Sequence, residues 1–314
     1  MKSILEFEHL TRSFGWLRRR KTAVHDLCLS VPEGRITAFL GPNGAGKTTT
    51  LQCAMNLLPP TSGKVSILGC DARKLGPVQL ERIGYVSENT EYPLWMTVDQ
   101  FFNWCRPLYP QWDRDFEKKL RTDFELPGNR RLRHLSRGQR MKAALAAGLA
   151  YRPQLVILDE PFSGLDPLVR MEFLHGLLEL TEQEGWSVLV SSHDIEEVER
   201  LADHVAILAD GRLRLAEDCE SLVAKFRAVE VTLPGEIKTP SLPPTWLNVE
   251  SIGRVLRFTD SAYDPEKVTE RLSALLPGTL DHTARAMSLR EIFFALAKAW
   301  RLESAAPIST KAVA

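Results

Sequence analysis

The run Gly41-Pro42-Asn43-Gly44-Ala45-Gly46-Lys47-Thr48 has the GxxxxGK[ST] spacing of a phosphate loop. Glycines in such a run let successive backbone N–H groups point inward at phosphate oxygens, and a helix that starts at the end of the loop adds partial positive charge. In this reading Lys47 reaches the β and γ phosphates of a nucleotide, the Thr48 hydroxyl binds Mg²⁺, and Thr49 completes the gripping set. The chemistry needs a second half. Leu155–Glu160 (LVILDE) is an apolar, strand-like run that ends in two carboxylates. Asp159 is expected to hold Mg²⁺ through water, and Glu160 to act as base on an attacking water. Alone, the first segment also reads as a Gly-rich turn and the second as a common acidic strand end. Together they specify phosphoryl chemistry.

The elements that must position these residues can be read from periodicity. Residues 35–40 (RITAFL) read as a strand ending at Gly41, followed by a helix with Leu51, Ala54, Met55 and Leu58 on one face, stopped by Pro59 and Pro60. Residues 154–158 read as a strand and 168–183 as a helix. Met171, Leu174, Leu177 and Leu178 share one face of that helix, and Gly185 closes it. Strands at 186–191 and 204–209 flank a charged helix at 194–202, and Asp210-Gly211 fits a tight hairpin turn into 212–215. Strands alternating with helices imply a parallel sheet covered on both faces. Residues 97–126 read as a helical insertion rich in aromatics. Beyond Leu222 the composition shifts. Strands are expected near 228–233 and 247–258, helices near 265–276 and 289–301, a Pro-rich loop at 239–244 and a frayed tail from 303.

A third segment discriminates among phosphate-loop proteins. Leu135-Ser136-Arg137-Gly138-Gln139 resembles the LSGGQ signature of ABC transporter ATPases and ends 20 residues before Asp159 (139 to 159). Ser136 reads as an N-cap followed by the stripe Met141, Ala144, Leu145, Gly148 and Leu149, so this too is a helix start able to hold an anion. The resemblance extends over residues 3–222. Phe14 is placed like the family's adenine-stacking aromatic, where tyrosine is usual. Ser163-Gly164-Leu165-Asp166 resembles the D-loop, whose aspartate crosses a dimer interface. Ser191-Ser192-His193-Asp194 resembles the switch segment, whose histidine contacts the γ-phosphate. One position departs from the pattern. Glu88, in Ile83-Gly84-Tyr85-Val86-Ser87-Glu88, stands where the Q-loop glutamine is expected. A carboxylate there can still approach Mg²⁺ but adds negative charge near the γ-phosphate.

The resemblance implies an α/β fold: a P-loop NTPase nucleotide-binding domain at 1–222, with a parallel sheet core, an antiparallel β subdomain and a helical insertion at about 89–150. A small α+β accessory domain follows at 223–314. It implies ATP and Mg²⁺ as cofactors, with ATP sandwiched between the phosphate loop of one subunit and Ser136, Gly138, Gln139 and Asp166 of a second nucleotide-binding subunit. It also implies integral membrane partners. Met287–Phe294 (MSLREIFF) resembles the C-terminal element of ABC-2 exporter ATPases, which points to export; an amphipathic helix packed on its own domain reads equally well. Trp95, Trp104 and Trp112 either pack the insertion or rim a groove for a membrane partner's helix.

Composition sets bounds on these readings. The chain has 314 residues, 44% hydrophobic and 25% charged, and 40 basic residues balance 40 acidic ones. Zero net charge argues against a nucleic-acid partner. The basic run Arg18-Arg19-Arg20-Lys21 reads as a solvated loop, with contact to anionic lipid as the lesser alternative, whereas Arg130, Arg131 and Arg133 read equally as solvated surface or as added positive potential for nucleotide. Five scattered cysteines without a CxxC pair argue against a zinc site and fit a reducing compartment. No run approaches a membrane span, and Glu6 and Glu8 interrupt any leader-like core. A cytoplasmic chain held at the inner membrane face by partner subunits is therefore expected. The rival readings are a soluble ABC ATPase acting on ribosomes or nucleic acid, and a non-hydrolysing regulatory module. A single phosphate loop and the absence of long heptads oppose the first; Glu160 and His193 oppose the second.

Overall fold

The computed structural model describes residues 2–15, 20–88, 90–235 and 242–305. Arg18, Arg19 and the Pro-rich stretch up to residue 241 therefore lie outside the described residues, as does the tail from residue 306. The chain divides into two compact units, Met1–Glu217 and Asp218–Ala314.

The first unit opens with two long strands, β1 (Ser3–Phe14) and β2 (Lys21–Pro32), and then β3 (Ile36–Leu40), which feeds the phosphate loop and α1 (Lys47–Ala54). Next come β4 (Ser62–Ile67), β5 (Cys70–Asp71), α2 (Pro77–Leu80) and β6 (Ile83–Ser87). The helical stretch holds α3 (Val98–Cys105), α4 (Arg114–Asp123) and α5 (Arg137–Leu149). The remainder is β7 (Leu155–Asp159), α6 (Pro167–Glu184), β8 (Ser187–Ser192), β9 (His204–Ala209) and β10 (Arg212–Asp218).

Two sheets result. One has the order β2-β1-β4-β5, with antiparallel pairing. The other has the order β10-β9-β3-β8-β7-β6, and β9, β3, β8, β7 and β6 run parallel. Strands β3, β7 and β8 are buried along their length, their apolar residues broken only by Thr37, Asp159 and the serines of β8. Apolar side chains of both sheets, among them Leu5, Leu27, Phe39, Ile157 and Leu189, meet in one core around α1. Because the strands are parallel, the carboxyl ends of β3, β6, β7 and β8 share one end of the sheet. Asp210 (φ 51°) and Gly211 (φ 73°) take the left-handed conformations of the tight turn joining β9 to β10.

Several elements differ from the periodicity reading. The first helix ends at Ala54, before the prolines. Asn56 adopts φ 55°, its N–H bonds the Cys53 carbonyl, and the Leu57 N–H bonds the Gln52 carbonyl at 2.9 Å, a Schellman-type stop. Residues 194–202 hold only a 3₁₀ turn, Ile195–Glu197, rather than a helix. Glu197 is drawn into the core there, where it accepts from Ser192 Oγ and pairs with Arg170 at 3.1 Å, and this anchoring overrides helical propensity. In α6 the buried stripe is Phe173, Leu177, Leu180 and Thr181, whereas Met171 is exposed. Gly185 (φ 67°) closes α6 as expected.

The second unit contains α7 (Cys219–Lys225), β11 (Arg227–Thr232), β12 (Trp246–Ile252), β13 (Val255–Asp260), α8 (Val268–Leu275), β14 (Asp281–Ala286) and α9 (Leu289–Ala305). Its sheet runs β12-β13-β11-β14, antiparallel throughout. The single strand expected at 247–258 is a hairpin, turned at Gly253 (φ 59°). Trp246 and Phe258 stack with centroids 4.0 Å apart in its core. The helix expected to end at 301 runs on to Ala305.

Candidate functional site

At the carboxyl ends of the parallel strands lies a cleft of about 680 Å³ whose lining includes Phe14, Asn43, Gly44, Gly46, Lys47, Thr48, Thr49, Glu88 and Glu160. Gly44 (φ 81°) and Gly46 (φ 105°) hold left-handed backbone angles, and a Cβ on Gly46 would collide with the Ala23 carbonyl oxygen. Gly41, Pro42 and Ala45 build the loop from behind and do not line the cleft. Gly41 donates its N–H to Ser192 O, and the Ala45 N–H closes the turn on Pro42 O. A Cβ on Gly41 would collide with the Leu208 carbonyl oxygen, so the loop needs glycine there for close packing.

Lys47 is buried. Its Nζ donates to the carbonyls of Gly41 (2.5 Å) and Pro42 (3.3 Å) and lies 3.0 Å from Glu160 Oε1. The last contact is an ion pair by distance but lacks hydrogen-bond geometry, so Oε1 is buried without a hydrogen-bond donor among the described residues. The other carboxylate oxygen, Oε2, lies 2.8 Å from His193 Nδ1. Glu160 itself sits at φ 51°, a strained angle for a non-glycine residue, held by its N–H donating to Ser191 Oγ at 3.0 Å.

Asp159 is almost fully buried. Oδ1 accepts from Thr48 Oγ1 (3.1 Å) and Ser191 Oγ (2.8 Å), and Oδ2 from Ser87 Oγ (3.4 Å). Burial raises its pKa above the ordinary carboxylate value, and the hydrogen bonds from Ser191 and Thr48 only partly oppose this. A buried carboxylate facing a threonine hydroxyl is an all-oxygen donor set that a small hard divalent cation satisfies, and such a cation would relieve the cost of the buried charge. The residues present therefore fit Mg²⁺.

Phe14 is partly exposed, and the Arg12 guanidinium covers its ring with Cζ 4.6 Å from the centroid. Glu88, expected near Mg²⁺, does line the cleft, and its N–H bonds the Asp159 carbonyl at 3.0 Å; its carboxylate, however, is paired with Arg137. Ser136, Gly138, Gln139 and Asp166 do not line the cleft. Ser136 caps α5 and accepts from the Gln139 N–H (3.1 Å), while Gln139 Oε1 returns to the Ser136 N–H (3.2 Å), a closed capping box. Gly138 is packed so closely that a Cβ would strike Val169, and Asp166 caps α6 through the Val169 N–H at 3.1 Å. One chain thus presents two separate helix starts, and only the phosphate loop faces its own cleft.

Sequence reasoning did not single out Ser191 and Ser87, whose hydroxyls hold Asp159, or Arg137. Trp95 and Trp104 are more than half exposed, which overturns core packing for these two. Trp112 is half-buried and donates to Glu117 Oε2 at 2.9 Å. Trp104 rims a groove shared with Tyr92, Phe101, Leu108 and Tyr151. All five cysteines are free thiols, and burial pushes Cys53 and Cys105 up to about 11, away from the thiolate form. Among the described residues no helix is long and apolar enough to cross a membrane.

The comparisons with known proteins agree with this geometry. The family profile described as "ABC transporter" matches residues 24–163. The chain is 34% identical over 224 residues to the ABC transporter ATP-binding protein YxlF of Bacillus subtilis, covering 70% of this chain and 72% of that one. It is 34% identical over 239 residues to YhaQ of the same organism, covering 73% and 76%. The match to an ABC transporter ATP-binding protein of Synechocystis, 30% identical over 238 residues, spans 73% of this chain and 66% of that relative's length. A solved structure of an ATP-binding subunit of an ABC transporter has TM-score 0.62 at 26% identity, covering 71% of this chain and 92% of that one. Fold and cleft define a P-loop NTPase of the cassette type. The chain belongs to the ABC transporter family as an ATP-binding subunit, an ABC ATPase.

Proposed function

We propose that this chain powers export through separate membrane subunits. Two nucleotide-binding subunits close around two ATP molecules, and hydrolysis reopens them. A second copy of the chain suffices as the partner, because one copy carries both kinds of helix start. In this account 1–222 is the nucleotide-binding domain, 223–314 is an accessory domain, and membrane partners hold the assembly at the inner membrane face.

The reading rests above all on the Glu160 carboxylate. Its Oε1 is a buried acceptor with no hydrogen-bond donor among the described residues, next to Lys47 Nζ, and its Oε2 is oriented by His193. When a nucleotide draws Lys47 Nζ onto its phosphates, Oε1 is uncovered to a water, which donates to it as Glu160 takes the proton. Thr48 and Asp159 would hold Mg²⁺, which neutralises phosphate charge when bound. His193 keeps Glu160 in place through Nδ1 and turns its other ring nitrogen toward the transferred phosphoryl group. Phe14 offers the ring face not covered by Arg12 to the adenine. Ser136, Gly138, Gln139 and Asp166 act on the nucleotide of the partner subunit.

The direction of transport rests on the resemblance of 287–294 to the exporter element. There Ser288 and Glu291 form a reciprocal helix cap (2.9 and 3.2 Å), so the motif also has a local structural role. The test is Glu160→Gln. Turnover should fall at least about 10²-fold with ATP binding retained. Hydrolysis at the parental rate would remove Glu160 as the base.

A further inference from the structure

The carboxylate of Glu88 and the guanidinium of Arg137, 49 residues apart in sequence, form a direct ion pair. Each belongs to a different part of the site. Glu88 lines the nucleotide cleft together with Lys47, Thr48 and Glu160, and its backbone is tied to Asp159. Arg137 is the first helical residue after the Ser136 cap. A third segment fits around the pair: Gly164 holds φ 66°, and a Cβ there would collide with the Arg137 guanidinium. The Arg137 side chain thus lies over a backbone position that is bare of side chain and reaches from the signature turn to the cleft wall.

A carboxylate in the wall of a triphosphate cleft repels its ligand. An opposite charge in direct contact offsets that field; Glu88 is half-buried, while Arg137 is exposed and its charge partly screened by water. We propose that Glu88 and Arg137 act as one positioning unit. Arg137, from its own subunit, neutralises Glu88 and so keeps the cleft able to accept the terminal phosphate, while tying the signature turn to the cleft wall. The pair is a positioning device; neither residue needs to touch the reacting atoms. The inference rests on the nucleotide-site reading above.

The test is a double-mutant cycle on the full chain, read as binding of the non-hydrolysable imidotriphosphate analogue of ATP with Mg²⁺, and of ADP. Arg137→Ala should weaken analogue binding about fivefold in the parental background and less than about twofold in the Glu88→Gln background, with a smaller effect on ADP. Arg137→Lys should restore binding to within about twofold of the parent, which a purely structural role for the arginine would not give. Equal melting temperatures for the variants confirm that they are folded, and Lys47→Ala serves as the binding-defective control.

If Arg137→Ala weakens binding by the same factor in both backgrounds, Arg137 acts directly on nucleotide and the pair is refuted. No effect in either background refutes it as well. Absence of analogue binding by the parental chain, with Lys47→Ala indistinguishable from it, would contradict the nucleotide-site reading itself. Binding that Lys47→Ala abolishes, without coupling between Glu88 and Arg137, contradicts this inference alone.

Discussion

His193 Nδ1 lies 2.8 Å from Glu160 Oε2, a contact between residues 33 apart in sequence that the fold makes unavoidable. Glu160 follows β7 and His193 follows β8, and these strands pair in parallel with Asp159 opposite Ser191. β7 ends at Asp159 and β8 one residue beyond its partner, at Ser192, so Glu160 and His193 both emerge just past the same end of the sheet. The contact fixes the direction of the Glu160 carboxylate and leaves Oε1 beside Lys47 Nζ, 3.0 Å away.

Replacing His193 removes that restraint without touching the phosphate loop. His193→Ala is expected to lower kcat about 10²-fold while changing KM for ATP little. Steady-state ATPase kinetics check this, and a KM rise without loss of kcat would assign His193 to ground-state binding instead.

Thr48 contributes a single hydroxyl, 3.1 Å from Asp159 Oδ1. Thr48→Ala should leave the fold intact and abolish the gain in ATP affinity that Mg²⁺ confers, a loss of about tenfold or more. Nucleotide titrations with Mg²⁺ and with a chelator read the difference directly.

Gly46 combines φ 105° with direct packing against the Ala23 carbonyl. Gly46→Ala must shift the loop, and it is expected to cost about 1–3 kcal/mol of stability and to eliminate ATP binding. Denaturant unfolding together with nucleotide titration tests both effects.

The helical insertion carries its own electrostatic anchor. Glu117 is buried. Desolvation works against its carboxylate, but hydrogen bonds from Arg106, Trp112 and Arg121 outweigh that and hold its pKa below the ordinary 4.5. A lowered carboxylate pKa stabilises the fold fully above the unfolded value, and the contribution fades as pH falls through the folded value. Glu117→Gln should therefore destabilise by about 1–3 kcal/mol at pH 7, with the gap to the parent narrowing below about pH 4. Unfolding curves across that pH range provide the measurement.

Much of this site was legible in the sequence, because its parts are local. The phosphate loop, Asp159-Glu160 and His193 each sit at the end of a short apolar strand, and a parallel sheet gathers strand ends automatically. What could not be read depends on tertiary partners. The 194–202 segment has helical periodicity, but Glu197 is pulled to Arg170 and Ser192. Met171 matches the spacing of an apolar stripe yet faces outward, because the core contacts α6 through Phe173 and Leu177. Trp104 is as apolar as any core residue, and only its surroundings reveal that it rims a groove. The carboxylate at 88 was visible as a departure from the family pattern; its cation at 137, in another motif, was not.

The proposed closure requires the phosphate loop of one subunit and the Ser136 helix start of another to meet on one nucleotide. Sedimentation velocity of the Glu160→Gln chain, with and without saturating ATP and Mg²⁺, tests this most directly. The predicted result is a monomer without nucleotide and a dimer holding two ATP with it, lost again in Ser136→Arg. A chain that remains monomeric while saturated with ATP would contradict it.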